Sequence, residues 1–231
     1  ISLGFYRNFK SNLIETSVEV YYKTMKNYLD YKGGAQLFLN RNIETDILGT
    51  TGTAYGVELM VKKTRGKLNG WLSYTFSRSL LQTETSEGSE SINFGEKYPS
   101  SFDKPHDVTL VSNYKLSRRF NISFNFTYST GRPITLPLGK YNLYDVERVF
   151  FSERNQYRIP DYYRADLAIN MEGNHKIKKL AHSSWSFSVY NITGRENAYS
   201  VFYRTEGRFV RGYQLSIFGR AIPNLTYNFR F

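Results

Sequence analysis

Three groups of residues in this chain could do chemistry. The first is His106 beside Asp107, with serines nearby, which would suggest a hydrolytic pair. Only two other histidines occur, His175 and His182, and there is no cysteine, so disulfides and thiolate metal sites are excluded and no cofactor or His-rich metal centre is called for. The second is the stretch 133–161, where Tyr141, Tyr144, Arg148, Phe150, Phe151, Arg154, Tyr157 and Arg158 mix aromatic faces with guanidinium groups. That mix suits stacking on sugars or gripping anionic chelates, and it equally suits a loop that packs its own aromatics and turns its charges to water or to lipopolysaccharide. The third is a scatter of charges, Glu15, Glu19, Glu58, Arg164 and Asp166, inside otherwise apolar-alternating runs.

What positions all three is a repeated period of two. In Phe120-Asn-Ile-Ser-Phe-Asn-Phe-Thr-Tyr128 one face carries Phe120, Ile122, Phe124, Phe126 and Tyr128, and the other only Asn, Ser and Thr. Residues 162–173 repeat this with charge: Tyr163, Ala165, Leu167, Ile169 and Met171 oppose Arg164, Asp166, Asn170 and Glu172. Similar runs begin at Ile14, Tyr55 and Leu72, and weaker ones cover 1–9, 104–117, 183–203 and 210–231, which gives nine strands. Each is long enough for the roughly 9–11 residues of a tilted membrane-crossing strand. Because charges sit on the second face, the inside must be wet, and Glu15, Glu19, Glu58, Arg164 and Asp166 are expected to face a lumen, as wall-bracing charges or as ligand contacts. His106 and Asp107, adjacent on a strand, must point to opposite faces, which argues against a small barrel hydrolase.

Composition agrees. No run of about 20 apolar residues exists for a helical span, mean hydropathy is −0.50, and aromatics reach 17 % with 20 Tyr and 17 Phe. An outer-membrane wall flanked by aromatic girdles uses that many rings. The expected connections alternate short and long: Lys10–Asn12, 31–51, Thr64–Lys67, 82–103, Ser117–Arg119, 133–161, 174–182, and a turn near Thr205–Arg208. Short turns on the periplasmic side orient the chain and leave its C-terminus periplasmic. The net charge of +11 gathers on the short turns, at Lys10, Lys62, Lys63, Arg65, Lys67, Lys115, Arg118, Arg119, Lys176, Lys178 and Lys179. Nucleic acid is an unsuitable partner, because its binders group their cations with stacking aromatics on one element. Anionic phospholipid headgroups and simple solvation of the rim are both open.

Bacterial single-chain barrels close with an even number of strands, so nine imply part of a larger barrel. At about 26 residues per strand over these 231 residues, a 22-stranded transporter would take about 560.

Several phrases resemble the C-terminal half of the barrel of TonB-dependent outer-membrane receptors, particularly those of Bacteroidetes. They are Gly49-Thr-Thr-Gly-Thr-Ala-Tyr-Gly-Val-Glu58, Trp71-Leu-Ser-Tyr-Thr-Phe-Ser77, Phe102-Asp-Lys-Pro-His-Asp107, Gly131-Arg-Pro133, Ile159-Pro-Asp-Tyr-Tyr-Arg-Ala-Asp-Leu167 and Val189-Tyr-Asn-Ile-Thr-Gly-Arg-Glu-Asn197. The resemblance covers nearly the whole chain and implies an antiparallel transmembrane β-barrel segment, about nine strands of a 22-stranded barrel, with the plug domain and earlier strands absent from residues 1–231. It further implies a transport receptor, not an enzyme, that imports a siderophore, cobalamin or glycan with energy from the TonB complex, reached through the absent N-terminal part. A terminal strand with Leu225, Tyr227, Phe229 and Phe231 on one face is similar to the signal read by the barrel-assembly machinery. Pro223 is expected to mark where that strand's pairing begins, and Gly219 a bulge before it. A surface lipoprotein over the loops, and a non-transporting adhesin or assembly client in place of a transporter, stay open.

Overall fold

A computed structural model describes residues 1–35, 39–84, 90–144, 146–173, 182–206 and 209–230. In chain order its strands are β1 (Ser2–Phe9), β2 (Ile14–Tyr31), β3 (Ile47–Lys63), β4 (Leu68–Thr83), β5 (Tyr98–Pro99), β6 (His106–Lys115), β7 (Phe120–Ser129) and β8 (Pro133–Ile134). There follow β9 (Pro137–Leu143), β10 (Val146–Phe151), β11 (Tyr157–Arg158), β12 (Tyr162–Glu172), β13 (His182–Tyr190), β14 (Ala198–Glu206), β15 (Phe209–Ser216) and β16 (Ile222–Arg230). Nine of them form one antiparallel wall in the order β1-β2-β3-β4-β6-β7-β12-β13-β16, with β5 added beside β4. The remaining strands make three small two-stranded sheets within the connections. Among the described residues, β1 and β16 each pair on one side only, so the wall is an open segment of a barrel.

Register aligns the apolar positions across strands. Val18, Leu59, Tyr74, Val108, Tyr128 and Tyr163 are consecutive Cα partners, and so are Ile122, Ile169, Phe187 and Leu225 one storey lower. The opposite face carries Ser17, Met60, Ser73, Thr109, Thr127 and Arg164 in one row and Glu19, Glu58, Thr75, Asp107, Ser129 and Tyr162 in the next. A one-residue slip would exchange these faces, so the period of two fixes the register. Very little of the apolar face is covered by protein: among the described residues, Leu81, Ile92, Tyr98 and Ala165 are the buried apolar side chains. A water-soluble chain of this length would bury a continuous core, whereas here Val20, Leu59, Leu72, Phe187 and Leu225 stand 39–62 % exposed along the wall. The outward face therefore takes hydrocarbon as its solvent, and the backbone is satisfied by the ladder itself.

The short connections 10–13, 64–67 and 116–119 lie on one rim, and the long ones, 32–46, 84–105, 130–161 and 191–221, on the other. One expected boundary is corrected. Wall strands over 183–203 and 210–231 with a turn near Thr205–Arg208 do not form; β13 stops at Tyr190, and β14 and β15 pair with each other as a hairpin away from the wall before β16 starts at Ile222. Alternation has the same period whether a strand pairs with the wall or with its neighbour in a free hairpin, so it cannot tell the two apart. The breaks that could are Asn191 and Phe218, both with positive φ (53° and 55°), at which the chain leaves and rejoins the wall. The correction also restores the short-long alternation, because the last connection becomes a long one. Gly219 is not a bulge but part of the bend before β16, packed so closely on Glu196 that a Cβ would come within 2.8 Å of its Cγ. Pro223, opposite Val189, falls at the start of the last ladder as expected.

Candidate functional site at the long-connection rim

The long connections are tied to the strand ends by a row of carboxylates and one amide. Asp103, 1 % exposed, lies between β5 and β6. Its Oδ1 accepts the Ser79 amide at 2.7 Å and Arg78 Nε at 3.2 Å, while Arg158 Nη2 pairs with its Oδ2 and Arg158 Nη1 donates to its carbonyl at 2.7 Å. Asp30, at the end of β2, accepts Tyr98 Oη at 2.7 Å and Arg154 Nη1 at 2.9 Å, and Arg154 also donates to the Tyr31 carbonyl at 2.7 Å. Burial, then the bond to the Asp30 carboxylate, pushes the Tyr98 hydroxyl far above its ordinary value. Asp161 precedes β12 and accepts the Gly131 amide at 2.9 Å and Tyr128 Oη at 2.7 Å; the Gly131 bond first, then the Tyr128 bond, hold its carboxyl below the usual carboxylate range. Gly131 can be nothing larger, since a Cβ would lie 1.8 Å from the Ile159 carbonyl oxygen. Asn191, 1 % exposed at the end of β13, donates its amide N–H to Asp166 Oδ1 and its side-chain Nδ2 to the carbonyls of Arg195 and Phe218, at 2.9, 3.0 and 3.1 Å.

These ties leave two clefts. One, of about 690 Å³, opens between connections 32–46, 84–105 and 130–161 and is lined by Tyr31, Lys32, Asn93, Thr135, Phe151 and Arg154 among others. The second, of about 610 Å³, lies beneath connections 130–161 and 191–221, with Asp107, Ser129, Arg132, Tyr162, Tyr190 and Phe218 in its lining. Ser129 is 6 % exposed and its Oγ has no hydrogen-bond partner, so this cleft holds an unsatisfied polar atom.

The expected ligand residues divide. Tyr141 and Arg148 face each other across the β9–β10 hairpin, and Tyr144 stands 91 % exposed at its tip with φ 50°. Tyr157 is half-exposed in β11. Arg154 and Arg158, by contrast, are engaged as struts on Asp30 and Asp103. The lumen charges are placed on the inward face but not in one site. Glu15 pairs with Lys62 at 3.0 Å, and Arg164 with Asp166 at 3.1 Å under the Tyr190 ring, whereas Glu19 and Glu58 are direct cross-strand partners. His106 lies outward, its Nδ1 2.9 Å from Tyr74 Oη and its ring near Phe76, while Asp107 faces inward into the second cleft. No group of three or more potential metal ligands occurs among the described residues. Of the terminal-strand residues, Leu225, Tyr227 and Phe229 stand exposed on the outward face, Tyr227 packed on Trp185 at 4.5 Å between centroids. Phe231 lies outside the described residues, as do Lys176, Lys178 and Lys179.

Sequence reasoning missed Asp30, Asp103, Asp161 and Asn191. Their signal was present as an acid or amide within one or two residues of a strand end, and three of the four sit inside the phrases that carried the family resemblance.

A lipid-facing antiparallel wall with a polar inner face, short turns on one rim and braced long connections on the other defines an outer-membrane-type β-barrel. The chain belongs to the TonB-dependent receptor-like β-barrel family, whose family model matches residues 1–192. Among solved structures it is similar to the ferripyoverdine receptor of the Pseudomonas aeruginosa outer membrane bound to ferripyoverdine, with a TM-score of 0.54 at 14 % identity over 99 % of this chain. It spans about a quarter (26 %) of that receptor's length. No curated protein matches it.

Proposed function

We propose that the chain is wall, rim and terminal strand of an outer-membrane active-transport receptor that imports a scarce nutrient with energy from the TonB complex. The observation that carries this is the inner face: a continuous polar and charged surface leading from the short-turn rim to two clefts beneath braced connections, on a barrel of the TonB-dependent family. Residues 1–231 act as the C-terminal part of one barrel domain of 22 strands of the Bacteroidetes type, and the single-sided pairing of β1 and β16 supports a wall that continues beyond both. A plug and the TonB-contact segment belong to the rest of that receptor. The outward row Leu225, Tyr227, Phe229 and Phe231 serves as the assembly machinery's recognition strand, and Tyr141, Tyr144, Arg148 and Tyr157 serve as ligand contacts. The outward wall sits against phospholipid and lipopolysaccharide, and a surface lipoprotein covers the connections.

The ferripyoverdine receptor binds ferripyoverdine, which puts ferric chelates first among the probes. The test is uptake by cells carrying the full-length receptor, with labelled ferric chelates, cobalamin and oligosaccharides offered in turn, with and without a protonophore. Receptor-dependent uptake that the protonophore abolishes is expected for one of them. Receptor-dependent cell attachment that the protonophore leaves intact, with no uptake, would replace transport by adhesion.

A further inference from the structure

The short-turn rim holds a cleft of about 590 Å³ that the transport reading does not use. Its cations are Lys67, Lys115, Arg118 and Arg119, against one carboxylate, Glu172, and its edge is formed by Leu116 and Phe120. We propose that this cleft binds the headgroup phosphate of an anionic phospholipid of the inner leaflet, with the acyl chains lying along the outward wall above it.

Three observations converge. The first is that the cations are displayed from a fixed frame. The Ser117 hydroxyl accepts the amides of Arg119 and Phe120 at 3.2 and 3.1 Å, the Lys115 amide donates to the Lys67 carbonyl at 2.7 Å, and the Glu172 amide donates to the Arg119 carbonyl at 2.8 Å. Arg119 Nε is held on the Glu172 carbonyl at 3.0 Å, which pins that guanidinium at the mouth. Strand ends β4, β6, β7 and β12 are thereby locked into one platform, so the charges converge without the ordering cost of a free loop. The second is amphipathic lining: Leu116 is 61 % and Phe120 37 % exposed on the outward side of the same hairpin that carries the cations. A free anion or an acidic peptide has no use for that apolar edge, whereas a lipid presents a phosphate and a hydrocarbon chain at this spacing. The third is height. Phe120, Met171, Trp185 and Tyr227 are consecutive cross-strand partners, an aromatic-rich row of the kind that marks the headgroup level, and the cations stand within a few residues of Phe120. Basic pockets at this level of a membrane protein recognise anionic headgroups.

The test uses the full-length receptor, stripped of lipid in detergent and given an equimolar mixture of phosphatidylglycerol and phosphatidylcholine, with bound lipid counted by native mass spectrometry. Wild type should retain about tenfold more phosphatidylglycerol than phosphatidylcholine. The variant Lys67→Gln/Lys115→Gln/Arg118→Gln/Arg119→Gln should lose that preference. The charge-matched variant Arg41→Gln/Lys97→Gln/Lys104→Gln/Arg220→Gln, on the opposite rim, should keep it. Should the quadruple variant fail to assemble, Lys67→Gln and Arg118→Gln made singly are expected to lower the preference in steps. Equal retention by wild type and variant overturns the proposal. So does displacement of the lipid by 10 mM inorganic phosphate, which would make this a free-anion site, or by an equal concentration of a Glu-rich peptide, which would make it a protein site.

Discussion

Strands β2, β3 and β4 run for 18, 17 and 16 residues, while β6, β7, β12, β13 and β16 run for 10, 10, 11, 9 and 9. About 9–11 residues suffice to cross the hydrocarbon, so the first group carries an upper storey and the second does not. The outward face records where the membrane ends. Below Tyr22 and Tyr55, which are cross-strand partners, it is Val20 and Val57, Val18 and Leu59; above them it is Thr24 opposite Thr53 and Thr51 opposite Gln82. The upper storey therefore stands in water and is held chiefly by its own backbone ladder, with the small cluster Leu81, Ile92, Tyr98 and Leu48 as its packed interior. The short strands have no ladder above the membrane. Their connections are held instead by side chains that close directly onto the strand ends, Asp161 and Asn191 foremost, and by hairpins that satisfy themselves. One wall thus uses two ways of projecting chain into the medium outside, and the difference in strand length decides which.

The sharpest way to break this contrast is to place a charge at two heights on one strand. Leu59→Arg puts a guanidinium into the hydrocarbon and should cost about 2–4 kcal/mol, enough to deplete assembled receptor; Thr51→Arg, on the same face of β3, should change stability by less than about 0.5 kcal/mol. Folded fraction in the outer membrane, read from heat-modifiable mobility on gels, checks both. Equal depletion by the two would mean that the upper storey is also in lipid.

Next in size is the joint between the two halves. Asp103→Ala removes the carboxylate shared by Arg78 of β4 and Arg158 of β11. Breaking a buried pair typically costs about 3–5 kcal/mol. Here the two guanidiniums keep 32 % and 27 % of their side-chain surface in water, so about 2 kcal/mol is expected. The urea midpoint of the receptor in lipid should fall, and protease should cut within 130–161 while sparing 32–46. Gly131→Ala strikes the short half alone. The Ile159 carbonyl cannot retreat without moving the start of β12, so overpacking of about 1–3 kcal/mol should loosen the same connection and leave β2–β4 unchanged.

What the sequence made legible follows the same division. Wall strands were readable because lipid on one side and water on the other impose a strict period of two, and Phe120–Ser129 and Tyr162–Glu172 fall almost where the alternation puts them. The upper storey was invisible: Thr24, Thr51 and Thr53 continue the strand with no apolar face to announce it, and so 31–51 read as one connection although β2 reaches Tyr31 and β3 begins at Ile47. The β14–β15 hairpin misled in the opposite sense, since Tyr199, Val201 and Tyr203 alternate as a wall strand would. Rim ties were legible only as phrases. An Asp two residues before Pro105 gives no period, and its role appears once Arg78 and Arg158, 25 and 55 residues away, arrive beside it.

The smallest expected effect separates the halves by pH. In the short half, Asp161 has its carboxyl held below the ordinary value by the Gly131 amide and Tyr128. Its contribution is complete above the unfolded pKa of about 3.9 and is lost as pH falls through the lower folded value, so connection 130–161 should loosen only in acid. In the tall half, Tyr98 is shifted upward by burial and by the Asp30 carboxylate. Its contribution is complete below the unfolded pKa of about 10 and fades as pH climbs beyond that toward the folded value, because ionising the phenol would set two anions against each other beside Arg154. Hydrogen exchange should therefore speed up at 129–132 and 159–162 below about pH 4 and at 28–31 and 97–99 above about pH 10, after correction for intrinsic rates. If both segments loosened at the same end of the pH range, the two halves would share one kind of tie. Loosening at opposite ends would locate the acid-sensitive tie where strands are short and the alkali-sensitive one where the ladder rises clear of the membrane.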